Sequence, residues 1–144
     1  MRVLFDTNVV LDVVLDREPF RDVAAELVSR VERGDMIGVL GATTLTTIYY
    51  LSAKQFGRAM AHSTVRDLLS VFKIAAVDLP VLARAIESAL EDFEDAVLHE
   101  AGIAVKVDAV VTRDPEDFRR GRLPIFSPQQ LRASLSETPP PPPS

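Results

Sequence analysis

The chain has 144 residues, 47% of them hydrophobic, with a formal net charge of −5, two histidines and no cysteine. That length and composition suit one globular domain with a substantial core and exclude an intrinsically disordered chain. The same numbers exclude disulfides, thiolate metal sites and a histidine-rich zinc centre, and a net acidic chain is not expected to attract nucleic acid by its overall field. No stretch is apolar for long enough to cross a bilayer and no signal peptide leads the chain, so a reducing, cytoplasmic setting is the expectation.

The first element is Arg2-Val3-Leu4-Phe5-Asp6. Its apolar run without alternation fits a parallel strand buried on both faces. An Asp at the carboxyl end of such a strand lies where open α/β sheets bind ligands, although on this stretch alone Asp6 or Asn8 serving as a helix cap is the commoner explanation. A short helix follows to Val14 or Leu15 and stops before Pro19. Phe20, Val23, Ala24, Leu27, Val28 and Val31 recur at helical spacing up to Gly34. Met36 to Leu40 reads as a second strand weakened by Gly38. Helices are then expected around Leu45–Ser52, ending at Gly57, and from about Met60 to Phe72.

Lys73 to Val77 is the third expected strand. Asp78 caps the next helix with Pro80 in its first turn. A helix from about Phe93 to Ala101 ends at Gly102, and Asp108 to Thr112 is the fourth strand, broken by Arg113-Asp114-Pro115. Pro124 to Phe126 is a short fifth strand, and Ser127-Pro128 opens a last helix to about Leu135. Residues 1–135 form the expected domain. Residues 136–144 are a proline-rich tail expected to be disordered. Strands alternating with helices give an α/β fold with a parallel sheet of four to five strands covered on both faces, and right-handed crossovers put all strand carboxyl ends on one rim.

Asp6 and Asp114 both follow strands, so both belong on that rim. Asp95 lies in the helix before the fourth strand, and Asp117 is one helical turn beyond Asp114. Carboxylates gathered without basic partners are tolerated when a cation neutralises them, and hard oxygen ligands favour Mg²⁺ or Mn²⁺. Glu91, Asp92, Glu94, Asp12 and Asp16 read instead as solvated acidic surface.

The opening Val3-Leu4-Phe5-Asp6-Thr7-Asn8, the later Asp92-Phe93-Glu94-Asp95-Ala96, and Val111-Thr112-Arg113-Asp114 with Asp117-Phe118 together resemble the PIN domain, most of all its VapC-type bacterial branch. The resemblance runs over roughly residues 1–135. It implies a three-layer α/β/α sandwich with its first strand central, and a Mg²⁺- or Mn²⁺-dependent endoribonuclease, often the toxin of a toxin–antitoxin pair and often a homodimer. By motif, Asp6, Asp95 and Asp114 are the catalytic and metal-holding acids and Asp117 an auxiliary one, with Asn8, Thr47 and Arg113 facing the RNA substrate. The family's second acid precedes an Ile-Tyr-Tyr run. Here that position is Thr47, ahead of Ile48-Tyr49-Tyr50, and Thr brings no charge.

Three functions follow from these residues. The first is a VapC-like ribonuclease with a cognate antitoxin. The second is a catalytically weakened PIN domain that binds RNA or protein as a regulatory module, which Thr47 favours. The third is a phosphotransfer receiver-like domain with Asp78 as acceptor, disfavoured because no Lys follows Phe126. The Arg119-Arg120-Gly121-Arg122 cluster could meet RNA phosphates, as could Lys54 and Arg58. Tyr49 is expected in the core and Tyr50 at an interface. His62 and His99 read as structural or surface residues.

Overall fold

The computed structural model describes residues 1–136, so nearly all of the proline-rich tail lies outside the described residues. Five parallel strands make one sheet in the order β3-β2-β1-β4-β5. They are β1 (Arg2–Phe5), β2 (Ile37–Gly41), β3 (Lys73–Ala75), β4 (Ala109–Val111) and β5 (Ile125–Phe126). β1 is central and pairs β2 on one side and β4 on the other, with Phe5 opposite Val111.

Side chains of a strand alternate between faces, and β1 shows why its apolar run has no polar partner positions. Val3 and Phe5 join a core formed with Val9, Leu27, Leu40, Ile48, Phe72 and Leu131. That core is covered by α1 (Thr7–Val14), α2 (Arg21–Glu32), α3 (Ala42–Phe56), α4 (Arg58–Val71) and α7 (Pro128–Ser136). Leu4 joins the opposite core with Val39, Val81, Val97, Ala101, Val110 and Phe118, covered by α5 (Leu79–Ile86), α6 (Phe93–Ala104) and a 3₁₀ turn (Pro115–Phe118). The result is the three-layer α/β/α sandwich expected from the alternation of elements. No helix among the described residues is long and apolar enough to cross a membrane.

Two glycines have roles that their sequence positions misstate. Gly102 does not end a helix at Ala101. α6 continues to Ala104, because Gly102 lets the helix lie close to the sheet, where a Cβ would come within 3.0 Å of Leu4 and 3.1 Å of Val107. Lys106, at φ 61°, makes the left-handed turn instead. Gly38 in β2 faces the Phe72 ring, itself edge-on to Phe5 at 5.2 Å between centroids.

The strand order reverses direction at β1: β2 and β3 continue to one side, and β4 and β5 to the other. In open α/β sheets a crevice forms at this switch point, outside the strand carboxyl ends. Here that is the gap beyond Phe5 and Val111. It is entered by Asp6 from one strand and by Thr112, Arg113 and Asp114 from the other.

Gly38→Ala tests the packing of the first core. The added methyl would meet Phe72 at 2.6 Å and Val31 at 2.9 Å, both buried. Overpacking of this kind costs about 1–3 kcal/mol. Urea denaturation should show a loss in that range, whereas an unchanged midpoint would mean that Phe72 has room to move.

Candidate active site

The Asp6 carboxylate does not cap the helix it precedes. The residue occupies the N-cap position of α1 with extended backbone, φ −61° and ψ 143°, yet its side chain makes no capping bond. It turns across to β4, where the buried Thr112 hydroxyl donates to Asp6 Oδ2 at 2.8 Å. The same Thr112 oxygen accepts from the Asp114 amide at 3.0 Å, and the Asp6 amide donates to the Val111 carbonyl at 3.0 Å. One hydroxyl therefore ties the first acid to the backbone of the fourth. Thr112 belongs to the Val111-Thr112-Arg113-Asp114 stretch and directly follows β4, but nothing local in the sequence announces its bond to Asp6.

Asp6 is 5% exposed. Burial pushes its carboxyl up to about 6 against the opposing Thr112 bond, and the nearby charges of Asp114 and Asp117 push the same way. Asp95 stands half-buried in the first turn of α6, whose N-cap Asp92 accepts from the Asp95 amide at 3.0 Å. Burial, then the charge of Asp6, then those of Asp92 and Asp117 push Asp95 up to about 7. Asp117 lies exposed on the 3₁₀ turn and is also raised, by partial burial and by Asp114 and Asp92. Among the described residues, none of Asp6, Asp95, Asp114 and Asp117 enters an ion pair.

Asp6, Asn8, Arg17, Thr47 and Asp95 line one cavity of about 230 Å³. Asp95 also borders an adjoining cavity of about 290 Å³ with Asp92, Asp117 and Arg120. The exposed Asp114 lines neither, and reaches the others through the Thr112 bond and through its field. Thr47 is thus on the wall shared by the first and third acids, and its hydroxyl donates to the Thr43 carbonyl at 3.4 Å. Among the described residues no three acidic or imidazole groups stand close enough to hold one ion directly. The donor chemistry nevertheless fits a hard cation. It consists of carboxylates that repel one another and lack cationic partners, and Mg²⁺ is commonly held by one or two carboxylates with water completing its shell.

Asp12 does not lie on the solvated helix face that its sequence position predicts: it is 1% exposed. Both of its oxygens accept from Arg113, Oδ2 from Nε at 2.7 Å and Oδ1 from Nη2 at 3.1 Å. The Arg113 guanidinium also lies over the Phe20 ring, 3.9 Å from its centroid. Asp16, Glu91, Asp92 and Glu94 are exposed as expected. His62 is exposed and meets Tyr49 edge-on at 5.3 Å, while Tyr50 is largely exposed. His99 is structural and buried: its Nε2 accepts from the amides of Arg122 at 3.0 Å and Leu123 at 3.3 Å, pinning the basic loop. Arg119, Arg120 and Arg122 in that loop pair with Glu116, Glu91 and Glu100.

The PIN domain family model matches residues 2–116. The chain belongs to the PIN domain family. Solved PIN structures share its fold at low identity. The VapBC2 complex of Rickettsia felis bound to a DNA fragment from its promoter matches at 15% identity and TM-score 0.68, over 88% of this chain and 98% of the other. FitAcB from Neisseria gonorrhoeae matches at 19% identity and TM-score 0.66, over 88% and 98%. Mycobacterium tuberculosis VapC20, a toxin that cleaves the sarcin-ricin loop, matches at 14% identity and TM-score 0.61, over 75% and 86%. No curated protein sequence matches the chain.

In this PIN domain the sign of the acid-site linkage runs opposite to that of a salt-bridged Asp. The folded carboxyl of Asp6 holds its proton up to about pH 6, while the unfolded one releases it near its ordinary value of 3.8. Stability of the metal-free protein should fall as pH rises between those values, and the penalty should be fully developed above them. Asn keeps an acceptor for Thr112 and cannot ionise. Asp6→Asn should therefore stabilise the metal-free protein at pH 8 by on the order of 2–3 kcal/mol and have little effect near pH 4. Urea titrations with chelator at both pH values check this; equal effects would mean that Asp6 is not raised.

Proposed function

We propose that this PIN domain is a Mg²⁺- or Mn²⁺-dependent endoribonuclease of the VapC-like kind. In this reading it acts in the cytoplasm as the homodimeric toxin of a pair with a cognate antitoxin. The observation that carries it is the set of unpaired carboxylates at the sheet's switch point, with Asp6 and Asp95 on one cavity wall and Asp114 tied to Asp6 through Thr112. Family membership supports nuclease chemistry, and the toxin–antitoxin neighbours support an antitoxin partner.

Asp6 and Asp95 would hold the ion, with Asp114 and Asp117 adding charge from the rim. When bound, such an ion supplies a water nucleophile at neutral pH and neutralises charge on the phosphoryl group. The chain's own work is to orient and to exclude. Thr112 holds Asp6 in one rotamer by donating to Oδ2 and leaves Oδ1 without a side-chain donor. The Asp92 cap fixes the first turn of α6 and with it the position of Asp95. Leu11, Leu51 and Leu98 give the cavity apolar borders.

A second reading has one observation in its favour. Thr47 lines the cavity of Asp6 and Asp95, and by motif it stands where the PIN pattern has an acid, so on this reading the site has one charge fewer, which suits a domain that binds RNA without cutting it efficiently. The two readings separate on RNA incubated with Mn²⁺. The nuclease reading expects cleavage that stops with chelator and falls at least a hundredfold in Asp6→Asn and Asp95→Asn, on the scale of losing an essential charged group. Chelator-resistant or absent cleavage by the wild type would contradict it.

Thr47→Glu gives a finer test. A carboxylate on this wall should tighten Mn²⁺ binding about tenfold or more, a gain of roughly 1–2 kcal/mol, and raise metal-dependent cleavage. Calorimetry with Mn²⁺ reads the first effect and a gel assay the second. Unchanged affinity would remove Thr47 from the ion's surroundings.

A further inference from the structure

The cavity shared by Asp6 and Asp95 has one cationic side chain on its wall, Arg17. Its position is constructed. α1 ends at Val14, and Asp16 then takes the left-handed conformation at φ 55°, so the chain turns back on itself. The Arg17 amide donates to the Asp12 carbonyl at 2.9 Å, and the Arg17 carbonyl accepts from the amides of Phe20 at 3.0 Å and Arg21 at 2.9 Å. The backbone of Arg17 is thus locked on both sides, and its side chain reaches over the first turn of α1. There Nη1 donates to Asn8 Oδ1 at 3.3 Å and lies 3.9 Å from Asp12 Oδ1.

The charge on Arg17 is not consumed by these contacts. Asp12 already accepts two short bonds from Arg113, so its single negative charge is matched without Arg17. Arg17 keeps most of its five donors, and its side chain is 35% exposed. A planar guanidinium with free donors, held at the border of an acidic cavity, suits a phosphodiester anion, whose two non-bridging oxygens it can meet in parallel. A bare acidic wall would repel that anion.

We propose that Arg17 is a substrate-contact residue, which receives a backbone phosphate of single-stranded RNA at the mouth of the Asp6–Asp95 cavity, with Asn8 and Asp12 as its positioning residues. This rests on the ribonuclease reading and adds the group that docks the substrate beside the acids. It also assigns a purpose to the buried Asp12, which anchors one arginine before Asp114 and guides a second into the cavity.

Each phosphate contact releases condensed counterions, so the salt dependence of binding counts the contacts. The test is fluorescence anisotropy with a labelled single-stranded RNA in millimolar Ca²⁺, the RNA being checked on a gel, at salt between about 50 and 200 mM. The full chain is compared with Arg17→Gln and Arg17→Lys. Arg17→Gln should bind about tenfold more weakly, and its slope of log K against log salt should be shallower by about 0.7, the value of one single-strand phosphate. Arg17→Lys should keep the wild-type slope while binding less tightly than wild type, because the charge remains and the fork is lost. Wild-type binding with an unchanged slope and affinity in Arg17→Gln would overturn this assignment and leave the ribonuclease reading standing. A wild type without salt-dependent RNA binding would overturn both.

Discussion

The candidate site depends on one hydrogen bond between the ends of neighbouring strands, from the Thr112 hydroxyl to Asp6. β1 and β4 are adjacent because the sheet changes direction there, and their carboxyl ends bring Asp6 and Thr112 level. Thr112 donates to Asp6 and accepts from the Asp114 amide, so one side chain ties the two strand-end acids together. The single hydroxyl does not neutralise the Asp6 charge, and burial still raises that carboxyl to about 6. The fold thereby holds an acid in a costly environment, as expected where charge is reserved for a ligand rather than for stability.

Asp6 and Asp12 are about one and two-thirds helical turns apart, and both are almost fully buried. Asp12 has a bidentate arginine; Asp6 has only neutral donors, the Thr112 hydroxyl and the Thr7 amide, and two acids in its field. The first arrangement satisfies a buried charge and fixes the loop that carries Asp114. The second leaves a charge to be satisfied from outside. A buried carboxylate is a structural or a functional residue according to its partners, and burial alone does not distinguish the two.

Much of this was readable in the chain itself. The unbroken Val3-Leu4-Phe5 run announced a strand buried on both faces, and Pro80 and Gly34 punctuated helices where the structure has them. The order of strands and helices pointed to a parallel sheet, and the PIN-like motifs pointed to the same fold. What failed did so for tertiary reasons. Gly102 looked like a helix stop, but its missing Cβ serves close packing on Leu4. Asp12 looked like the polar face of an amphipathic helix, because its partner Arg113 is 101 residues away. Arg17 has no local signal, since an arginine in a turn is common, and Thr112 stands inside the Val111-Thr112-Arg113-Asp114 motif with nothing local to mark its bond to Asp6. Their meaning comes from the cavity and the acid they face, and pairing across distant segments has no local signature.

The central claim is that these acids form one cation site at the carboxyl ends of β1 and β4. Anomalous diffraction at the manganese edge, from crystals of the full chain soaked in Mn²⁺, tests it without reliance on activity. A single strong peak is expected in the cavity between the carboxylates of Asp6 and Asp95, on the side nearest Asp114, and it should be lost in Asp6→Asn. A peak located elsewhere, or none in the cavity with the ion at saturating concentration, would contradict the claim.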